Sequence, residues 1–384
     1  MMRVIAFFWK TLVGIVLCLT PLTAILVIGW ISRAMRRKTF RTWHADSNGN
    51  PGNRAFGRLV ASSPETRMLV HWPNWFVAED VGARVRDSRQ AGAGFFHVAG
   101  IFLSSLGSAF WANAKAGTLA VLSTWAVTLP LMVLWLLSWW GGWENSFNKG
   151  YEQAWVGPVI GLGATVFIIL AMTYVPLAQA RQATEGTWRS FFDYRLLRSL
   201  ATGNPMAMLK IAIGFAVAGL LIAGMRVGPL ALGNLVEGID QWPQRDVTAL
   251  KFGYHLGGTV LVFGLFVGLR LMAAKTYARV LLNAVRTGKL RADRLGEVER
   301  GFLADLHLLE PQGKDESGAF VRAVTTSGRG ILRFSTAIVV LPLWFVFVAE
   351  IYIAQFLNHD WLAWVNHPLI QLPWMSGIRF FGIN

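Results

Sequence analysis

The side chains that could do chemistry in this chain are few, and most sit near the ends of apolar stretches. Glu350 lies within a turn of the outer end of the last apolar segment, beside Tyr352. A carboxylate at such a depth is costly and usually functional. Its natural partners are Arg226 or Lys251, and plain interfacial exposure is the simpler alternative. His359, Asp360 and His367 are types that bind metal, but their spacing along a Trp-rich tail is a weak signal and no metal site is read from it. Glu144, Lys149, Tyr151 and Glu152 crowd one loop, which reads as a solvated partner contact. Arg270 falls near the inner end of its segment, where a long side chain can snorkel to the interface. No carboxylate falls at a segment midpoint, which argues against a proton- or sodium-coupled carrier.

Motifs for catalysis are missing. The chain carries no GxSxG, Walker A, GxGxxG, HExxH or CxxC, so no catalytic or cofactor-binding residue and no cofactor is assigned. One cysteine, Cys18, allows no internal disulfide. It lies in an apolar run that continues past it to Ile31, which reads as an uncleaved anchor. The net charge of +15 raises nucleic acid as a partner. No basic helix or aromatic RNA-binding pattern accompanies it, so nucleic acid is set aside in favour of anionic lipid on the cytoplasmic side.

What positions these residues is a series of membrane-length segments. Of 384 residues, 54% are hydrophobic and only 15% charged, with mean hydropathy +0.44. Soluble domains carry about 25% charge. Gly117–Trp140 and Val156–Ala180 contain no charged residue, and each exceeds the roughly 20 apolar residues needed to cross a hydrocarbon core. With Val4–Ile31, Met206–Met225, Phe252–Ala273 and Ile331–Ile353 they predict an all-α polytopic bundle of about six spanning helices. Phe95–Ala112 is short and rich in Gly and Ser, and reads as re-entrant or interfacial.

The chain thus divides into a first transmembrane helix (1–31), a basic cytoplasmic loop (32–94), and the re-entrant or interfacial helix (95–116). A four-helix transmembrane core (117–276) follows, then a cytoplasmic amphipathic segment (277–330), the last transmembrane helix (331–354) and an outer Trp-rich interfacial tail (355–384). The distribution of cations orients it. Predicted inner parts hold 27 of the 36 Lys and Arg and predicted outer parts 7, with Lys10 counted outside. Positive loops stay inside, so both termini are expected outside an inner (plasma) membrane. Nine of 18 tryptophans, among them Trp139, Trp140 and Trp143, fall at or near the outer interface as an aromatic belt.

On the inner side, Thr187–Ala201 alternates Trp188, Phe191, Phe192, Leu196 and Leu200 with Arg189, Arg195 and Arg198, the pattern of a helix lying in the headgroup region. In Asp293–Leu309, Leu295, Val298, Phe302 and Leu306 form one face, with Glu297, Glu299, Arg300 and Asp305 opposite. Three GxxxG pairs, Gly157–Gly161, Gly253–Gly257 and Gly264–Gly268, suggest close helix packing. Pro130 and Pro342 fall mid-span and should bend their helices. Thr173-Tyr174 and Thr276-Tyr277 end two inward helices in a faint internal echo.

Three functions remain open. The leading one is a non-catalytic scaffold, assembly or accessory subunit that contacts lipid and other membrane subunits through Glu350, Arg226, the three loop arginines and the tryptophans. The alternative is a small permease or lipid-handling transporter, which requires a hydrated or lipid-sized cavity between the spans. A membrane enzyme, the third, would rest on Glu350 alone.

Overall fold

The computed structural model describes residues 2–47, 71–143, 155–236, 241–309, 330, 334–349 and 365–375. They form an all-α helical membrane bundle with no strand among them. In chain order the helices are α1 (Met2–Leu17), α2 (Pro21–Ser47), α3 (Val81–Gln90), α4 (Phe95–Ser105), α5 (Ser108–Trp143) and α6 (Val156–Glu185). There follow α7 (Trp188–Phe191), α8 (Tyr194–Gly203), α9 (Pro205–Leu235), α10 (Gln244–Arg286), α11 (Glu297–Asp305) and α12 (Phe334–Ala349). Four stretches are long and apolar enough to cross a membrane: Ser108–Gly141, Val156–Glu185, Pro205–Pro229 and Gln244–Arg286. The α12 helix is apolar but shorter. Both α5 and α12 continue as helix through Pro130 and Pro342.

The first apolar segment is two helices rather than one. Pro21 opens α2 at the position where its missing N–H costs nothing, and the Thr20 hydroxyl takes the Thr23 N–H at 3.4 Å. The chain then folds back on itself. The Trp75 indole donates to the Lys10 carbonyl at 3.0 Å and stacks on Trp30 at 4.9 Å. In one continuous helix those two residues would be about 30 Å apart. The Lys10 amine bonds the Trp72 carbonyl at 2.8 Å, close to the Arg33–Glu79 ion pair at 2.6 Å. Lys10 therefore lies beside the basic cluster, not at the opposite end of a span from it.

The basic stretch after Ile31 begins as helix, not loop. Helix α2 runs on to Ser47 and buries Phe40 and Trp43. Trp43 donates to the Ala278 carbonyl at 2.9 Å, and Phe40 packs on Phe302 at 4.2 Å. Helix α10 spans 43 residues, about 65 Å, more than twice the hydrocarbon thickness. Its C-terminal part, Tyr277 to Val285, is buried except at Arg279 and Asn283, against α2 and the surface helix α8.

Close approach follows only one of the three GxxxG pairs. Ser138 Oγ donates to the Gly157 carbonyl at 2.5 Å, and a Cβ on Gly161 would meet that oxygen at 2.6 Å. Gly253, Gly257, Gly264 and Gly268 have no described atom within 4 Å of where a Cβ would stand. The tightest seam is elsewhere. A Cβ on Gly29 would lie 2.6 Å from the Asn113 carbonyl carbon, and one on Gly117 3.0 Å from that of Ile25. Residues 29 and 25 of α2 thus meet 113 and 117 of α5, an antiparallel crossing.

Helix α4 has 11 residues and buries only Ser105. It is too short to cross and lacks the cover that a re-entrant segment needs. The segment at membrane depth is a different one. Residues 365–375, expected along the outer surface, lie inside the bundle and are buried throughout except Val365 and Trp374, which are half-buried. Met375 packs near Gly258 and Met225, while the Ile370 carbonyl reaches Arg270, a further 12 residues or about 18 Å along α10. This non-helical stretch is tolerated because it is enclosed by protein, and several of its polar groups are paired. Asn366 caps the Leu372 and Trp374 carbonyls at 3.3 and 3.1 Å, and Gln371 accepts the His367 N–H at 2.7 Å.

Candidate functional site

Polar side chains inside the bundle converge where the 365–375 segment ends its descent. On α5, Ser123, Thr124 and Thr128 are buried; on α6, Gln179 and Gln182 face them. Gln179 donates to Thr124 Oγ1 at 2.9 Å and to the Ile370 carbonyl at 3.3 Å, and Gln182 donates to Ser123 Oγ. Gln371 donates to Thr128 Oγ1 at 2.9 Å. Arg270 on α10 completes the group. It does not snorkel: it is 5% exposed, donates to the Ile370 carbonyl at 2.6 Å and lies over the Phe266 ring at 4.6 Å. Between these groups and α2 is a cavity of about 20 Å³, lined by Ser32, Thr124, Gln179, Arg270 and Gln371 with apolar neighbours.

A second polar cluster ties the short surface helices to the spans. Arg181, at the end of α6, pairs with Asp193 at 2.5 Å and Glu299 at 3.5 Å. The Tyr277 hydroxyl donates to the Glu299 carboxylate, which also takes the Gly296 N–H at 3.0 Å. Glu185 accepts the Glu299 N–H at 2.8 Å and so sits at the N-terminus of α11, where the helix dipole favours an anion. Glu299 is therefore buried, not on the outer polar face. Burial pushes its carboxyl above the ordinary range, and the Arg181 guanidinium partly offsets this. The echo between the two Thr-Tyr pairs has a counterpart here. Tyr174 donates to the Phe191 carbonyl of α7 as Tyr277 does to α11, so each tyrosine fastens a surface helix.

A much larger cavity is a groove of about 740 Å³ between α6, α9 and α12, closed on one side by α8. Leu170, Leu177, Met208, Val340 and Trp344 make its wall, and Tyr194, Arg198 and Thr202 stand at its polar edge. Helix α8 builds that edge. Asp193 caps it by accepting the Leu196 N–H at 3.3 Å; Leu196, Leu197 and Leu200 are buried and Arg195 and Arg198 exposed. Nearby, α2 and α10 bring Lys38, Arg41, Lys275 and Arg279 together. Burial and these neighbouring cations hold the Lys38 amine below its ordinary value.

The residues singled out from sequence do not form one site. Arg198 edges the groove, Arg189 and Arg195 are exposed beside it, and Arg226 is buried on α9 near His367. Trp139 is half-buried and Trp140 exposed. Glu350, His359, Asp360 and the Glu144–Glu152 loop lie outside the described residues, as does the side chain of Trp143. Arg270 was read as a snorkelling side chain, and the two glutamines of α6 and Gln371 were passed over. The signal for the α5–α6 group was the helical spacing of Ser123, Thr124 and Thr128 and of Gln179 and Gln182 within apolar runs. The chain matches no protein-family model, no curated protein and no solved structure.

Proposed function

We propose that this chain is a lipid-handling integral membrane protein whose groove takes an acyl chain of an anionic phospholipid from the inner leaflet. The observation that carries this is the groove itself. Its volume falls within the range of about 300–1,000 Å³ typical of ligand sites. Its wall is apolar and its polar edge is cationic, the order of chemistry along a phospholipid from chain to phosphate. The basic group on α2 and α10 supports the same headgroup charge. The cavity at Arg270, inside the bundle, is small, so we read handling at the bundle's flank rather than passage through its centre.

The membrane is proposed to be an inner (plasma) membrane with the basic faces of α2, α8 and α10 inward. The fold-back of α1 puts Lys10 among those cations, so the N-terminus is proposed on the inner side, with the segment after α12 entering from the other. Reporters fused before Met1 and behind Asn384 should then report opposite faces.

The test is lipid content. Protein purified in mild detergent should retain phospholipid in fixed proportion, enriched in anionic headgroups. Ala201→Trp, which fills the groove, should release it, and Arg198→Glu should shift the retained lipid toward neutral headgroups. Unchanged lipid in both variants would remove the reading. A second reading, an accessory subunit, is favoured by α4, whose Phe95 and Phe96 are 80% and 88% exposed. It requires a partner protein in that same preparation, lost on Phe96→Ser.

A further inference from the structure

We propose that the cavity around Arg270 binds a single halide-sized monovalent anion, a site independent of the lipid groove. The guanidinium has five N–H donors, one of which donates to the Ile370 carbonyl. Among the described residues no carboxylate lies within 4 Å of it. A cation so enclosed needs a counter-charge, because neither a carbonyl dipole nor the Phe266 ring neutralises it. The cavity beside it supplies the place. Its 20 Å³ exceeds the roughly 10–15 Å³ that one water requires and is too small for a phosphate ester or a metabolite carboxylate. The Arg270 charge excludes a metal cation, and a neutral occupant would leave that charge uncompensated.

The lining fits an anion. The Thr124 hydroxyl accepts from Gln179, which leaves its own proton to donate into the cavity. Ile28, Ile31 and Met35 of α2 close the far side and keep bulk water from competing. Gln371 and the Ile370 carbonyl come from the inserted segment, so the site exists only while residues 365–375 are seated. Anion binding and seating of that segment are therefore linked.

The experiment is a thermal melt of the full-length protein in detergent. Sodium bromide is titrated against sodium gluconate at fixed ionic strength. The wild type should show a saturable rise in Tm with bromide. In Thr124→Val the bromide concentration at half-effect should rise several-fold, and in Arg270→Gln the saturable response should vanish. Ala201→Trp, which tests only the groove, should leave the response intact. If Arg270→Gln does not fold, the Thr124→Val titration decides. Equal melting in bromide and gluconate, as for a site that holds only water, would overturn the proposal. So would a response linear in salt, or one unchanged by Thr124→Val.

Discussion

Replacing Gly29 with alanine asks whether the α2–α5 crossing holds the inner half of the protein together. The added Cβ would stand 2.6 Å from the Asn113 carbonyl carbon and 2.8 Å from its Cα, with the carbonyl oxygen nearer still. The two backbones would have to part by more than roughly 0.8 Å, the difference between 2.6 Å for the carbon and an ordinary 3.4 Å contact, because the nearer oxygen demands still more. Neither neighbour is a flexible side-chain end, so no rotamer change relieves the clash. Overpacking of this kind costs about 1–3 kcal/mol. Movement of α5 also strains the Asn113 side chain, which donates to the Asn74 and Trp75 carbonyls at 3.0 and 3.2 Å and accepts from Arg33 at 2.8 Å. One weakened bond adds about 0.5–1.5 kcal/mol, for a total of about 1.5–4.5 kcal/mol. Tryptophan fluorescence during a thermal melt in detergent measures it, with Gly253→Ala as control. That position is open, and helix propensity there favours alanine by up to about 1 kcal/mol. Gly117→Ala should be similarly costly, and the double variant should cost less than the sum, because parting the helices once relieves both clashes. If Gly29→Ala melts with the wild type, or the two costs simply add, the crossing is not the seam described here.

Further outcomes follow from the inner cluster and the inserted segment. Glu299 holds its proton more tightly when folded than its ordinary value near 4.5 allows. Its contribution is therefore greatest below that pH and declines as pH rises through the window above it. Glu299→Gln should flatten that decline in a pH series of melts, and an unchanged slope would place the titration elsewhere. Glu299→Ala leaves Arg181 with Asp193 alone and opens space beneath α11, a loss of about 3–5 kcal/mol. Trp43→Phe removes the bond to the Ala278 carbonyl and should cost about 0.5–1.5 kcal/mol plus a small cavity. Gln371→Leu should unseat residues 365–375, read as faster labelling of a cysteine placed at Leu372. Equal labelling rates would show that the segment is held by its apolar side chains alone.

The helical class and four of the long spans were legible because uncharged runs such as Gly117–Trp140 admit almost no other reading. Three things were not. Pro21 interrupts the Val4–Ile31 run but was not read as a break, because hydropathy sums composition and ignores where a backbone N–H is lost. The continuation of α2 to Ser47 was hidden by Arg33–Arg41, since a basic cluster scores as polar even when Phe40 and Trp43 beneath it are buried. Glu299 was assigned to the wrong face because its burial depends on Arg181 and Tyr277, more than 20 residues away, and no periodicity within α11 carries that information. The Gly157–Gly161 seam was visible in sequence and formed. Gly29 and Gly117, which approach a neighbour more closely, belong to no GxxxG pair: they face each other across the crossing, Gly117 meeting the Ile25 carbonyl and the Gly29 N, and not along one helix.

The 365–375 segment joins the misread topology to the unread site. It looked like an interfacial tail because its tryptophan and prolines suit a belt and its sequence suits no helix. Those same features fit an enclosed segment that turns at His367–Ile370: Pro368 and Pro373 present no N–H to be buried unsatisfied, and Asn366 and Gln371 supply side-chain bonds that a helix would have made internally. Such a segment needs a polar terminus to its path, and Arg270 with Gln179 provides one at the Ile370 carbonyl. The arginine in turn has a reason to sit at depth only if something there uses its charge. A lone carbonyl would be served as well by a glutamine at far lower desolvation cost. That excess of charge over structural need is what makes Arg270, which the sequence suggested would only snorkel, the side chain on which the interior of this bundle turns.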